Sequence, residues 1–94
     1  MNISDIKKQI SPILKRNDVQ KAAIFGSFAR GEAKSKSDVD ILIKFKGNKK
    51  SLFDLTGLQL ELENKLKRNV DLLTYNSLHP FLKQNVLKEQ KIIL

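Results

Sequence analysis

Apolar and polar positions recur along this chain with two different periods, and each change of period marks the edge of an element. From residue 4 to residue 16 (SDIKKQISPILKR), Ile6, Ile10, Ile13 and Leu14 fall on one helical stripe. Ser4 is the expected cap, and Pro12 inside the pattern predicts a kink or a restart because it removes a backbone donor. Lys21 to Phe25 (KAAIF) and Val39 to Phe45 (VDILIKF) are short, apolar and β-prone, so both read as strands. In the second, Val39, Ile41, Ile43 and Phe45 share one face, while Asp38 and Asp40 lie opposite with Leu42 and Lys44. Between these strands a short turn of helix begins at Ser27, and Gly31 to Ser37 is a polar loop.

Gly47-Asn48-Lys49-Lys50 is a turn, after which Ser51 and Asp54 form an acidic variant of the capping box. The helix that follows runs to about Lys67. Leu52, Leu55, Leu62 and Leu66 keep helical spacing, and Phe53, Leu58 and Leu60 widen the expected buried stripe. A third strand spans Val70 to Thr74, Ser77 is the expected cap of a last helix carrying Leu78, Phe81, Leu82, Asn85 and Val86, and Lys91 to Leu94 could add a short edge strand. A helix between strands two and three permits a right-handed crossover that lays them side by side, turning Asp71 to the face of Asp40. The predicted fold is α+β: a mixed sheet of three to four strands with helices packed mainly on one face, as one domain over residues 1–94.

Composition narrows the chemistry. There is no cysteine, which excludes disulfides and thiolate metal sites. No stretch has the length or apolar character of a signal peptide or membrane span, so a soluble, cytoplasmic protein with no membrane partner is expected. The net charge of +8 suits an anionic partner, whether nucleotide triphosphate, nucleic acid or acidic protein, and does not choose among them. The lysines are spread over the polar sides of helices, and the few aromatic residues sit in apolar runs. The interleaved pattern of a single-strand nucleic-acid platform is absent, so direct nucleic-acid binding is not favoured.

Residues 26 to 40 concentrate the candidate chemistry. A small-residue turn, Gly26-Ser27, is followed by Arg30-Gly31, a polar run ending at Ser37, and then Asp38-Val39-Asp40 entering the second strand. Side chains two apart in a strand leave the same face roughly 6 to 7 Å from each other at their bases. Two carboxylates so placed suit Mg²⁺, a hard cation that commonly takes one or two carboxylates plus substrate phosphates. Gly26 lets a backbone approach phosphate without a Cβ in the way, the Ser27 hydroxyl can donate to it, and Ser37 adds a donor or orients Asp38. Arg30 reads equally as a phosphate fork or as a salt bridge shaping the loop. His79, the only histidine, reads as a cap or an exposed residue, and Tyr75 as packing with a wet hydroxyl.

This segment resembles the signature of the nucleotidyltransferase superfamily that includes DNA polymerase beta: Gly-Ser, roughly ten residues, then Asp-x-Asp. More narrowly, Phe25 to Gly31 with Ser37 to Ile43 is similar to the minimal nucleotidyltransferase (MNT) domains of prokaryotes, which are often paired with a helical HEPN toxin. The resemblance implies a third carboxylate on a later strand, and Asn69-Val70-Asp71-Leu72-Leu73 supplies one. It implies one or two Mg²⁺ ions held by Asp38, Asp40 and Asp71, ATP as substrate, and Gly26, Ser27, Arg30 and Ser37 around the nucleotide. Asp71 either completes the metal shell or takes the acceptor's proton. The short chain leaves little room for an acceptor-binding module, so the implied acceptor is a tyrosine of the HEPN partner and the implied role an antitoxin that adenylylates it. Two other readings stay open: an antitoxin that neutralises by binding alone, and a nucleic-acid-binding or RNA-modifying subunit.

Overall fold

The computed structural model describes residues 1–94. Helix α1 (Ile3–Arg16) leads into strand β1 (Val19–Phe25), the short helix α2 (Gly26–Ala29) and strand β2 (Val39–Phe45). Helix α3 (Leu52–Leu66) then leads to strand β3 (Val70–Thr74), a 3₁₀ turn (Tyr75–Ser77), helix α4 (Pro80–Glu89) and strand β4 (Lys91–Ile92). The four strands form one mixed sheet in the order β3-β2-β1-β4: β1 is antiparallel to β2 and to β4, and β2 is parallel to β3. The α+β class and the mixed sheet therefore match the sequence reading.

Apolar alternation decides which face is dry. Ala22, Ile24, Val39, Ile41, Ile43, Val70 and Leu72 face α1 and α3, and with Ile6, Ile10, Leu14, Leu58, Leu62 and Leu66 they form one continuous core. Val19 belongs to it too, and for that reason β1 begins two residues earlier than the expected Lys21: Val19 pairs with Phe45 across an irregularity before Lys21. The expected edge strand is present as β4, extended by Ile93 N–H and Leu94 N–H donating to the Ala22 carbonyl. No helix is long and apolar enough to cross a membrane.

Several expectations need correction. The cap of α1 is Asn2, not Ser4: the Asn2 side chain accepts from Asp5 N–H at 2.9 Å, and Asp5 accepts from Asn2 N–H at 3.2 Å. That reciprocal pair satisfies two otherwise unpaired donors, where a lone Ser4 would satisfy one. Pro12 does not restart α1, since the helix is continuous through it. The cap of α4 is His79, whose Nδ1 accepts from Phe81 N–H, because Pro80 is preset for the first helical position and the cap is the residue before it. Ser77 instead donates to the Thr74 carbonyl.

The Ser51–Asp54 box forms as expected, but the stripe of α3 is narrower. Leu55, Leu58, Leu62 and Leu66 pack inward, while Leu52, Phe53 and Leu60 are exposed. A helix can turn only one side to a sheet, and Leu52 instead rims an open cleft with Phe45, Leu55 and Leu73. Phe81 and Leu82 of α4 are likewise exposed, and α4 buries no residue.

Candidate functional site

The parallel register of β2 and β3 places Asp40 directly beside Asp71. Paired residues in a sheet point to the same face, so both carboxylates leave the side of the sheet opposite α1 and α3. Asp38 immediately precedes β2, two positions from Asp40 and exposed. This end of the sheet is tied down by one contact from the α3–β3 connection and one from α3 itself. Asn69 accepts through its carbonyl from Val39 N–H at 3.0 Å, and the Glu63 carboxylate accepts from Val70 N–H at 2.9 Å.

Asp40 is the most strained carboxylate of the group. Its pKa is pushed up from 3.8 to about 6, mainly by burial and then by the negative charges of Asp71 and Asp38, with Arg30 pulling the other way. Gly26 is part of the reason for that burial. A Cβ built on Gly26 would stand 2.1 Å from Asp40 Oδ2, and Gly26 has a left-handed φ of +70°, so glycine is required on both counts. Turn and carboxylate are thus packed against each other.

Of the residues expected at the site, Asp38, Asp40, Asp71, Gly26 and Ser27 gather at this end of the sheet. Ser27 lies half-buried in α2, and its carbonyl accepts from Glu32 N–H at 2.8 Å, which closes the turn. The Ser37 hydroxyl accepts from Lys34 N–H at 2.7 Å while its carbonyl accepts from Arg68 Nη1 at 3.3 Å, so Ser37 shapes the loop before Asp38. Arg30 adopts the salt-bridge alternative: Nε donates to Glu32 at 2.7 Å, and Nη1 reaches Glu89 at 3.3 Å. The Tyr75 hydroxyl pairs with Gln90 Oε1 at 2.8 Å, and burial raises its pKa.

No three acidic or histidine side chains are close enough together to form a ready-made metal cage. The donors nonetheless fit a hard cation completed by its substrate. They are all carboxylate oxygens, and the upward pressure on Asp40 from its two acidic neighbours is what a cation would relieve.

Sequence reading missed Glu89. It accepts from Gly26 N–H at 3.0 Å, 63 residues away in the chain. One signal was available: Glu89 is the sole acidic residue after Asp71, in a tail that otherwise carries three lysines.

Comparison with known proteins agrees with this geometry. Residues 8–94 match the model of the family described as polymerase beta, nucleotidyltransferase. A provisionally named protein adenylyltransferase of Methanocaldococcus jannaschii is 53% identical over 94 residues, covering all of both chains. A toxin–antitoxin crystal structure with AMP-PNP superposes with a TM-score of 0.82 at 26% identity, covering 94% of this chain and 72% of that one. The complex of a tri-AMPylated Shewanella oneidensis HEPN toxin with its MNT antitoxin gives 0.76 at 22% identity, covering 97% and 71%, a likeness of fold. With Gly26-Ser27 packed on Asp40, and Asp40 in register with Asp71, the chain belongs to the polymerase beta nucleotidyltransferase family.

Proposed function

We propose that this chain is an Mg²⁺-dependent protein adenylyltransferase that transfers AMP from ATP to a tyrosine hydroxyl of a HEPN ribonuclease partner, and so serves as an antitoxin. The observation that carries the proposal is the crowding of Asp40 against Gly26, Asp71 and Asp38, which holds its pKa at about 6. Asp38, Asp40 and Asp71 are the residues that would hold one or two Mg²⁺ ions, whose positive charge, when bound, offsets the charge of the phosphates.

The remaining roles belong to the chain itself. The turn at Gly26 and Ser27 offers backbone N–H groups and a hydroxyl to the phosphates, and Ser37 sets the loop that delivers Asp38. The tyrosine oxygen bonds to the α-phosphorus as the bond to the pyrophosphate oxygen breaks. Asp71, exposed at the rim, would either complete the metal shell or take the phenolic proton. The partner presents the acceptor, in keeping with the adenylyltransferase name of the Methanocaldococcus jannaschii relative and with the AMPylated HEPN toxin of the structural neighbour. We place the reaction in the cytoplasm, within one domain spanning residues 1–94.

The test is transfer of α-labelled ATP, with Mg²⁺, onto the cognate HEPN protein. Label should appear on a tyrosine and vanish in Asp38→Ala and Asp40→Ala. Neutralisation of the partner that survives both substitutions would replace catalysis with neutralisation by binding.

A further inference from the structure

Glu89 reaches the glycine–serine turn from the far end of the chain and occupies donors that a phosphate would also take. Its Oε1 accepts from Gly26 N–H at 3.0 Å, and its two oxygens stand 3.3 and 3.4 Å from Arg30 Nη1. A carboxylate and a phosphate oxygen are equivalent anionic acceptors for an N–H or a guanidinium, and the same donors cannot fully serve both. Charge also sets Glu89 against a nucleotide at this turn. Asp71, Asp38 and Glu89 all press on Asp40 with like charge, and a triphosphate would add several more negative charges beside them.

The element that carries Glu89 is built to give way. Helix α4 buries no residue, and Phe81 and Leu82 stand 86% and 56% exposed. Beyond Glu89 the chain is held by the hydrogen bond from Tyr75 to Gln90, by the short pairing of β4 with β1, and by Ile93, which is buried in the core. Elements with few buried contacts open at low cost, so α4 can shift as far as Gln90 while β4 and Ile93 stay anchored in the sheet and core.

We infer that Glu89 is an internal stand-in for nucleotide phosphate: it holds Gly26 and Arg30 in the free protein, lowers nucleotide affinity, and is expelled with the end of α4 when triphosphate binds. The inference rests on the nucleotide-binding reading of this turn given above. It differs from a fixed clamp, in which Glu89 would keep the turn in its productive shape and its loss would weaken binding.

Calorimetric titration of AMP-PNP with Mg²⁺, and separately of inorganic tripolyphosphate, into wild type, Glu89→Gln and Glu89→Ala separates the two. Both variants should bind both ligands more tightly. Glu89→Ala should gain about tenfold if the Glu89-held state makes up about nine-tenths of the free protein. Glu89→Gln should gain less, since its carbonyl can still accept from Gly26. Amide exchange over residues 86–90 of the wild type should quicken when AMP-PNP binds. Unchanged or weaker binding by both variants, with circular dichroism showing them folded, overturns the stand-in, as does unaltered exchange at α4. A wild type that binds no AMP-PNP overturns the nucleotide reading itself. Wild-type binding that is lost in Asp40→Ala but unchanged in Glu89→Ala removes only the role of Glu89.

Discussion

The two faces of the sheet follow opposite rules, and β2 contributes to both. Toward α1 and α3 it presents Val39, Ile41 and Ile43, all fully buried in an apolar core. Toward the other side it presents Asp40, the fully buried Leu42 and Lys44, with Asp71 beside Asp40 on β3 and Lys21 beside Lys44 on β1. One face gains free energy from every side chain it buries, and the other spends some of it to hold like charges together. Stability and chemistry are therefore separable in this protein, and substitutions on the two faces should fail in different ways.

The sharpest break in that comparison is Asp40→Ala. AMP transfer to the partner should fall about a hundredfold to a thousandfold, the scale expected for losing one electrostatic group at a reacting centre. Its circular dichroism spectrum and urea midpoint should remain at least those of the wild type. Ile41→Ala, one residue away on the opposite face, should instead cost about 2–5 kcal/mol in urea unfolding, because it opens a cavity in the core. If Asp40→Ala unfolds the protein as Ile41→Ala does, the separation of the faces is lost.

Gly26→Ala sits where the two concerns meet. The left-handed backbone and the collision with Asp40 Oδ2 should cost about 1–3 kcal/mol of stability and also reduce AMP-PNP affinity. Measuring both in one variant shows whether the turn is coupled to the carboxylate.

A smaller effect comes from the charge of Asp40. Its folded pKa of about 6 lies above the ordinary 3.8, so between these values the folded state holds more proton than the unfolded chain. Wild-type stability should decline as pH rises through that window, with the full penalty present above it. Asp40→Asn should flatten this dependence and stabilise the protein at pH 7. The shift alone would correspond to about 3 kcal/mol, which solvent screening of a partly exposed group reduces to about 1 kcal/mol. A pH-stability profile identical to that of wild type would mean that Asp40 bears no such strain. The smallest change is Phe53→Ser: a ring 88% exposed on α3 should alter stability by no more than about 0.5 kcal/mol.

Much of this was legible locally. The alternation from Val39 to Phe45 identifies both faces of β2, and the Ser51–Asp54 pair marks the start of α3, because both depend on contacts within a few residues. Exposure was harder to read. Leu52, Phe53, Leu60, Phe81 and Leu82 have the composition of buried positions, and whether a neighbour covers them depends on where the helices lie. Caps misled for a related reason. Ser4 and Ser77 are good capping residues, but Asn2 has a reciprocal partner in Asp5, and Pro80 fixes where α4 can begin.

By itself, the sequence determined the periods of its strands and helices, the Gly26-Ser27 turn, the same-side placement of Asp38 and Asp40, and the family resemblance they carry, since each depends on residues close in the chain. Only the tertiary structure decided that Asp71 stands level with Asp40, that Arg30 is held by Glu32 and Glu89, and that the last acidic residue returns to Gly26 across 63 positions. Strand register and helix docking bring those groups together. They follow from how a whole core packs, which no short stretch of sequence encodes.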